Sequence, residues 1–166
     1  MMTTMNPLTR SVQAGVQTVK SVFLDLYADE CSRLAEMLPI LRLARPNVLI
    51  VGPAPETGRT LERMRGYLRA PMASWSPRET ANLPSWSFRT LVVRGVDGLN
   101  LAQQESLAAL IERSNGDVQV VSIAGASLMP LVKSGAFHDR LYYQLNIVVL
   151  EPAGDRAPAR RVVRGK

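Results

Sequence analysis

Apolar positions along this chain fall into two rhythms. Short, nearly continuous runs occur at Val48–Val51, near Met72–Trp75, and at Thr90–Val93, Val118–Ile123 and Asn146–Leu150. The first is closed off by Pro46 and Gly52. Runs of this length are too short for helices and typical of strands buried on both faces. Between them the spacing turns helical. Phe23, Leu26, Tyr27, Leu34, Met37, Leu38 and Leu41 form an entry segment in which Pro39 is expected to break or restart the helix. Leu61, Met64 and Leu68 form a second stripe, and Leu101, Leu107, Leu110 and Ile111 share the face of a third. Asn100 with Gln103 has the form of a capping pair opening that third helix, and Asn115-Gly116 ends it. Ser127 can cap a short helix through Val132, which Gly135 stops. Strands separated by helices imply parallel crossover units, hence a three-layer α/β domain with a mostly parallel sheet.

Between Ala70 and Phe88 the stretch APMASWSPRETANLPSWSF has three prolines and two tryptophans, and reads as a short strand followed by a loop that Trp75 and Trp86 pin as buried anchors. At 166 residues and 46% hydrophobic, the chain holds one ordinary core. Its net charge of +6 is uneven: Arg156, Arg160, Arg161, Arg164 and Lys166 crowd the C-terminal end, so the body is only mildly basic. That tail, with Pro158 and little to bury, reads as a solvated end; the alternative is an arm for nucleic acid. Cys31 is the one cysteine and cannot form an internal disulfide, and there is no Cys/His cluster for a metal. No signal-peptide pattern or membrane-length apolar stretch occurs, so a cytoplasmic, unsecreted protein is expected.

The segment NVLIVGPAPETGRT, Asn47 to Thr60, has the strand, loop and helix order of a phosphate-binding loop. Such a cradle needs successive backbone N–H groups aimed at the anion and a lysine reaching the terminal phosphates. Here Pro53 and Pro55 remove two donors, the spacing from Gly52 to Gly58 is one residue too long for G-x-x-x-x-G, and Arg59 stands in the lysine's place. Thr60 keeps the hydroxyl.

Near the C-terminus, LVKSGAFHDRLYYQLNIVVLEP resembles the end of the core AAA+ subdomain of sigma-54-dependent transcription activators, the bacterial enhancer-binding proteins. That family reads close to V-x-x-G-x-F-R-x-D-L-Y-Y-R-L-N, and Val132, Gly135, Phe137, Leu141, Tyr142, Tyr143, Leu145 and Asn146 fall in register. RTLVVRGVDGLNLAQQESLAALIE resembles the family's G-T-L-F-L-D-E strand and the helix after it, and VQVVSIAGAS its next strand. With MLPILRLARPNVLIVG the resemblance runs from about Arg33 to Leu150. It implies a P-loop NTPase-like core over residues 33–150, between a helical or loose segment 1–32 and a basic tail 151–166. The family's helical lid and helix-turn-helix are expected to be absent, and nothing resembling its G-A-F-T-G-A loop occurs in the thirty-four residues between Arg59 and Arg94.

The resemblance also says what has changed. The family's acidic pair for Mg²⁺ and the attacking water aligns with Arg94 and Gly95, a cation in place of a carboxylate. Asp97 lies nearby but past the strand end. The sensor asparagine aligns with Gly125, and two arginines supplied across a subunit interface align with His138 and Gln144. The expectation is a pseudo-AAA+ domain without ATPase activity, cofactor or metal, acting by protein binding in transcription regulation. Its candidate surface is Arg59, Arg94, Asp97, His138, Arg140 and Gln144, placed around the former nucleotide edge. Two alternatives stay open: weak ATP and Mg²⁺ binding through the altered loop of Gly52, Gly58, Arg59 and Thr60, and association with nucleic acid through the basic tail.

Overall fold

A computed structural model describes residues 30–85 and 87–152. In chain order the elements are α1 (Glu30–Leu43), β1 (Val48–Val51), α2 (Ala54–Met64), β2 (Met72–Trp75), β3 (Thr90–Arg94), α3 (Leu101–Ser114), β4 (Gln119–Ala124), α4 (Met129–Lys133), α5 (Asp139–Leu145) and β5 (Val148–Leu150), with single 3₁₀ turns at Arg65–Tyr67 and Val96–Gly98. The five strands form one sheet in the order β2-β3-β4-β1-β5, every pair parallel. Parallel pairing forces each connection to cross a face of the sheet, so both faces are covered.

Alternation along the strands divides the core. Val48, Ile50, Val92, Val121 and Ile123 pack with Leu34 and Leu41 of α1 and Leu61 and Met64 of α2. Leu49, Leu91, Val93, Val120 and Ala124 point the other way, into Leu107 and Leu110 of α3 and Leu141 and Leu145 of α5. Burying each such side chain contributes about 1.5–3 kcal/mol before the entropy of ordering is subtracted. The chain from β2 to β3 belongs to the α3 side, where Leu83 and Phe88 pack around Trp75. Trp75 is 1% exposed and donates its indole N–H to the Thr80 carbonyl at 3.0 Å.

The strand assignments hold to within two residues. β3 runs one residue further than expected, β4 is shifted by one residue to Gln119–Ala124, and β5 begins at Val148 because Asn146 still caps α5, with φ −88° and ψ 43°. The capping box of Asn100 and Gln103 is present, with bonds of 2.9 and 3.0 Å, and Asn115 closes α3 at φ 46°. The Met129 amide donates to Ser127 Oγ at 3.3 Å at the start of α4.

Two expectations fail on packing. Pro39 does not interrupt α1, which continues to Leu43. The proline sits on the solvent side between the buried Leu34 and Leu41, and their anchorage outweighs one lost backbone bond. Leu101 is 54% exposed and does not share the buried face of Leu107 and Leu110. That stripe is continued by Gln104, which has no exposed surface. Expectations for Phe23, Leu26, Tyr27, Trp86, the Cys31 side chain and the basic tail lie outside the described residues. Among the described residues no helix is long and apolar enough to cross a membrane.

Candidate functional site

In a parallel sheet the loops at the carboxyl ends of the strands present binding groups. Here that edge is formed by Gly52 after β1, Arg94 and Gly95 at the end of β3, and Gly125 after β4. Gly52 has φ 153°, and a Cβ there would lie 3.7 Å from Pro152 Cδ. Pro152 is buried, so the chain leaving β5 lies close over the residue that opens the loop. The Gly52 amide itself donates to the Ala124 carbonyl at 3.0 Å.

The stretch expected to be a loop is helix. Pro53, at φ −62° and ψ 149°, is the N-cap, and α2 starts at Ala54. Pro53 and Pro55 are set for this: their ring-fixed φ suits a helix entry, where the missing N–H groups have no intrahelical acceptor to lose. The Thr57 amide already donates to the Pro53 carbonyl at 3.1 Å. Gly58, Arg59 and Thr60 are therefore helix interior. The Thr60 hydroxyl donates to the Glu56 carbonyl at 3.1 Å, and the Thr57 hydroxyl lies 3.2 Å from the carbonyls of Pro53 and Ala54. Arg59 pairs with Glu56 at 3.3 Å. The second Glu56 oxygen is buried without a partner among the described residues. This carboxylate sits in the first turn of α2, where its charge complements the helix dipole that would otherwise attract an anion.

At the end of β3, Arg94 is exposed and its Nε donates to Ser74 Oγ of β2 at 3.4 Å. Gly95 turns the chain at φ 68°, a conformation costly for a side-chain-bearing residue. The following 3₁₀ turn carries Asp97, whose Oδ2 would lie 3.8 Å from a Cβ on Gly125. Asp97 thus faces the position aligned with the sensor. A Cβ on Gly98 would meet Arg78 Nε at 3.4 Å, so the Arg78 guanidinium covers that turn.

The remaining candidates lie along α5. The His138 amide donates to Gln104 Oε1 at 2.8 Å while its side chain is exposed. Arg140 Nη2 lies 2.7 Å from Glu112 Oε1 of α3, and Gln144 Nε2 donates to the same oxygen at 3.1 Å. The Gln144 carbonyl accepts from Asn47 Nδ2 at 2.9 Å, one residue before β1 begins. The expected single patch is therefore divided. Arg94 and Asp97 stand at the carboxyl edge with Arg59 on α2 beside it, whereas Arg140 and Gln144 meet Glu112 towards the amino ends of the strands. The cause is direction: α5 leads down to the start of β5, carrying its last turn away from the edge.

Sequence reasoning missed Gln104. Its Nε2 donates to the carbonyls of Leu99 and Ala136, both at 3.0 Å, and its Oε1 accepts from His138. One buried amide thereby joins the entry of α3 to the turn before α5. Its position, three and six residues before Leu107 and Leu110 on one helical face, was the available signal. In α5, burial raises the Tyr142 hydroxyl's pKa above its ordinary value of 10.0, and the neighbouring Tyr143 adds to this.

A parallel sheet ordered β2-β3-β4-β1-β5, with a glycine-ended first strand running into α2, defines a P-loop NTPase-like α/β core. The similarity to NtrX from Brucella abortus, in a structure with ATP, has a TM-score of 0.60 at 13% identity, covering 89% of this chain and 40% of that one. The P-loop NTPase domain of the sigma-54 transport activator from E. coli gives 0.59 at 17%, covering 75% and 94%. A RuvB variant from Thermotoga maritima gives 0.50 at 20%, covering 72% and 43%. These likenesses establish the fold. The chain belongs to the sigma-54 interaction domain family, whose model matches residues 28–152. No curated protein matches the chain significantly.

Proposed function

We propose that this sigma-54 interaction domain has lost ATP hydrolysis and acts by binding another protein of transcription regulation. The observation that carries the reading is the start of α2 at Ala54, directly after Gly52-Pro53. Residues that would have to curl around a phosphate are engaged in helical bonding, and Glu56 brings a negative charge into the same turn. Arg94 and Gly95 in place of an acidic pair agree with this, because a guanidinium at the strand end opposes Mg²⁺.

What the edge offers is positive charge on ordered elements. Arg94 is exposed on β3 and Arg59 on the second turn of α2. An acidic partner surface is the complement, with an association that weakens as salt is added. The deciding experiment titrates a fluorescent ATP analogue into the purified protein with and without Mg²⁺. No saturable signal is expected; saturable, Mg²⁺-dependent binding would overturn the reading. Capture of a defined regulator by wild type but not by a folded Arg59→Glu, Arg94→Glu variant would place the contact at this edge.

A further inference from the structure

We propose that the partner contributes an extended acidic segment that lies along the free edge of β2, with a carboxylate on Arg94 and Ser74; this rests on the protein-binding reading above. β2 is the last strand of the sheet and pairs only with β3. Among the described residues, the backbone groups of Met72–Trp75 make no backbone hydrogen bond outside that pairing. An edge of this kind accepts an added strand through main-chain bonds, with selectivity supplied by alternate side chains.

The two faces of this edge differ. On the α3 side Trp75, Leu83 and Phe88 close the core, since the connection from β2 to β3 runs there. On the α2 side Met72 packs against the cluster that holds Leu61 and Met64, and a cleft of about 120 Å³ remains between α2 and the strands. Leu61, Met72 and Val92 line its apolar part, while Ser74 and Arg94 border it on the strands and Glu62 and Arg65 on the helix. Arg65 is paired with Glu62 at 3.1 Å. Arg94 makes no ion pair among the described residues, and its bond is to the Ser74 hydroxyl. One uncompensated cation beside an apolar cleft, both on the α2 face of an open strand edge, selects a strand with an aliphatic and an acidic residue two positions apart, so that both side chains share that face. The aliphatic side chain fills the cleft and the acidic one reaches the guanidinium.

The test titrates the peptide acetyl-Thr-Val-Thr-Glu-Thr-amide, whose valine and glutamate share one face, into the isotopically labelled full chain and follows its backbone amide and arginine Nε resonances. Shifts are expected at Met72–Trp75 and at Arg94 Nε. Arg94→Gln should weaken binding about tenfold or more, the loss of one charge-assisted hydrogen bond, and Ser74→Asp should abolish it by repulsion. The native resonance pattern of each free variant confirms its fold. No shift along β2, equal binding of the lysine counterpart acetyl-Thr-Val-Thr-Lys-Thr-amide, or the same shifts with inorganic phosphate alone would each overturn the inference. A silent β2 edge removes this inference and leaves the protein-binding reading standing, whereas saturable ATP binding removes the reading on which it rests.

Discussion

The amide of Gly52 donates to the carbonyl of Ala124 at 3.0 Å, so the bonding between β1 and β4 continues one residue past the end of the strand. The loop that would follow is thereby shortened from its first residue. Pro53 then caps α2 directly, and its carbonyl already accepts the Thr57 amide.

Phosphate release from ATP should stay at the enzyme-free background, with or without Mg²⁺. Arg59→Lys alone should not raise it, because the lysine would lie within α2 with Arg94 still at the metal position. A robust Mg²⁺-dependent activity in the purified protein that Arg59→Ala abolished would refute the loss of catalysis.

Gln104→Ala should destabilise the domain by about 3 kcal/mol, as the carbonyls of Leu99 and Ala136 and the amide of His138 lose their shared partner. Gln104→Glu should restore little, since it replaces a donor to two carbonyls with another acceptor. Chemical denaturation measures both. A cost for Gln104→Ala of under about 1 kcal/mol would show that the latch holds nothing.

Asn100→Ala should cost about 1 kcal/mol by opening the capping box of α3, and Asn100→Asp should retain most of the stability, because its carboxylate can still accept the Gln103 amide. Denaturation midpoints with unchanged slopes would report this. Equal loss in both variants would point away from the cap.

Tyr142 makes folding sensitive to alkali. Its pKa is raised in the folded state, chiefly by burial and then by Tyr143, whose ring centroid is 5.4 Å away. A raised folded pKa means the contribution is fully present below 10.0 and is lost as pH climbs through the folded value. Stability should therefore fall above pH 10.0, and Tyr142→Phe should flatten that fall. An unchanged alkaline slope in this variant would refute the assignment.

Local signals were legible where local physics decides. The residues of β1 and β2, the capping box at Asn100 and the stop at Asn115 depend on apolar runs, short polar caps and left-handed turns that the chain displays directly. Family membership was legible for a related reason: the packing residues from Val132 to Asn146 retain their register, and Phe137, Leu141 and Leu145 are core. The candidate surface was legible only in part. Its members could be named by alignment, but whether Arg140 stands beside Arg94 depends on the direction in which α5 runs.

By itself the sequence determined the alternation of strands and helices, and with it the parallel α/β class, because hydrophobic period and capping chemistry act over a few residues. The tertiary structure decided the rest. It kept α1 whole through Pro39 by burying Leu34 and Leu41 around it, and it buried Gln104 where two carbonyls and an amide converge. It turned the Gly52–Thr60 segment from loop into helix by bonding Gly52 to Ala124 and covering it with Pro152. Each of these rests on contacts between residues distant in the chain, whose free energies exceed local preference only once the sheet has brought them together.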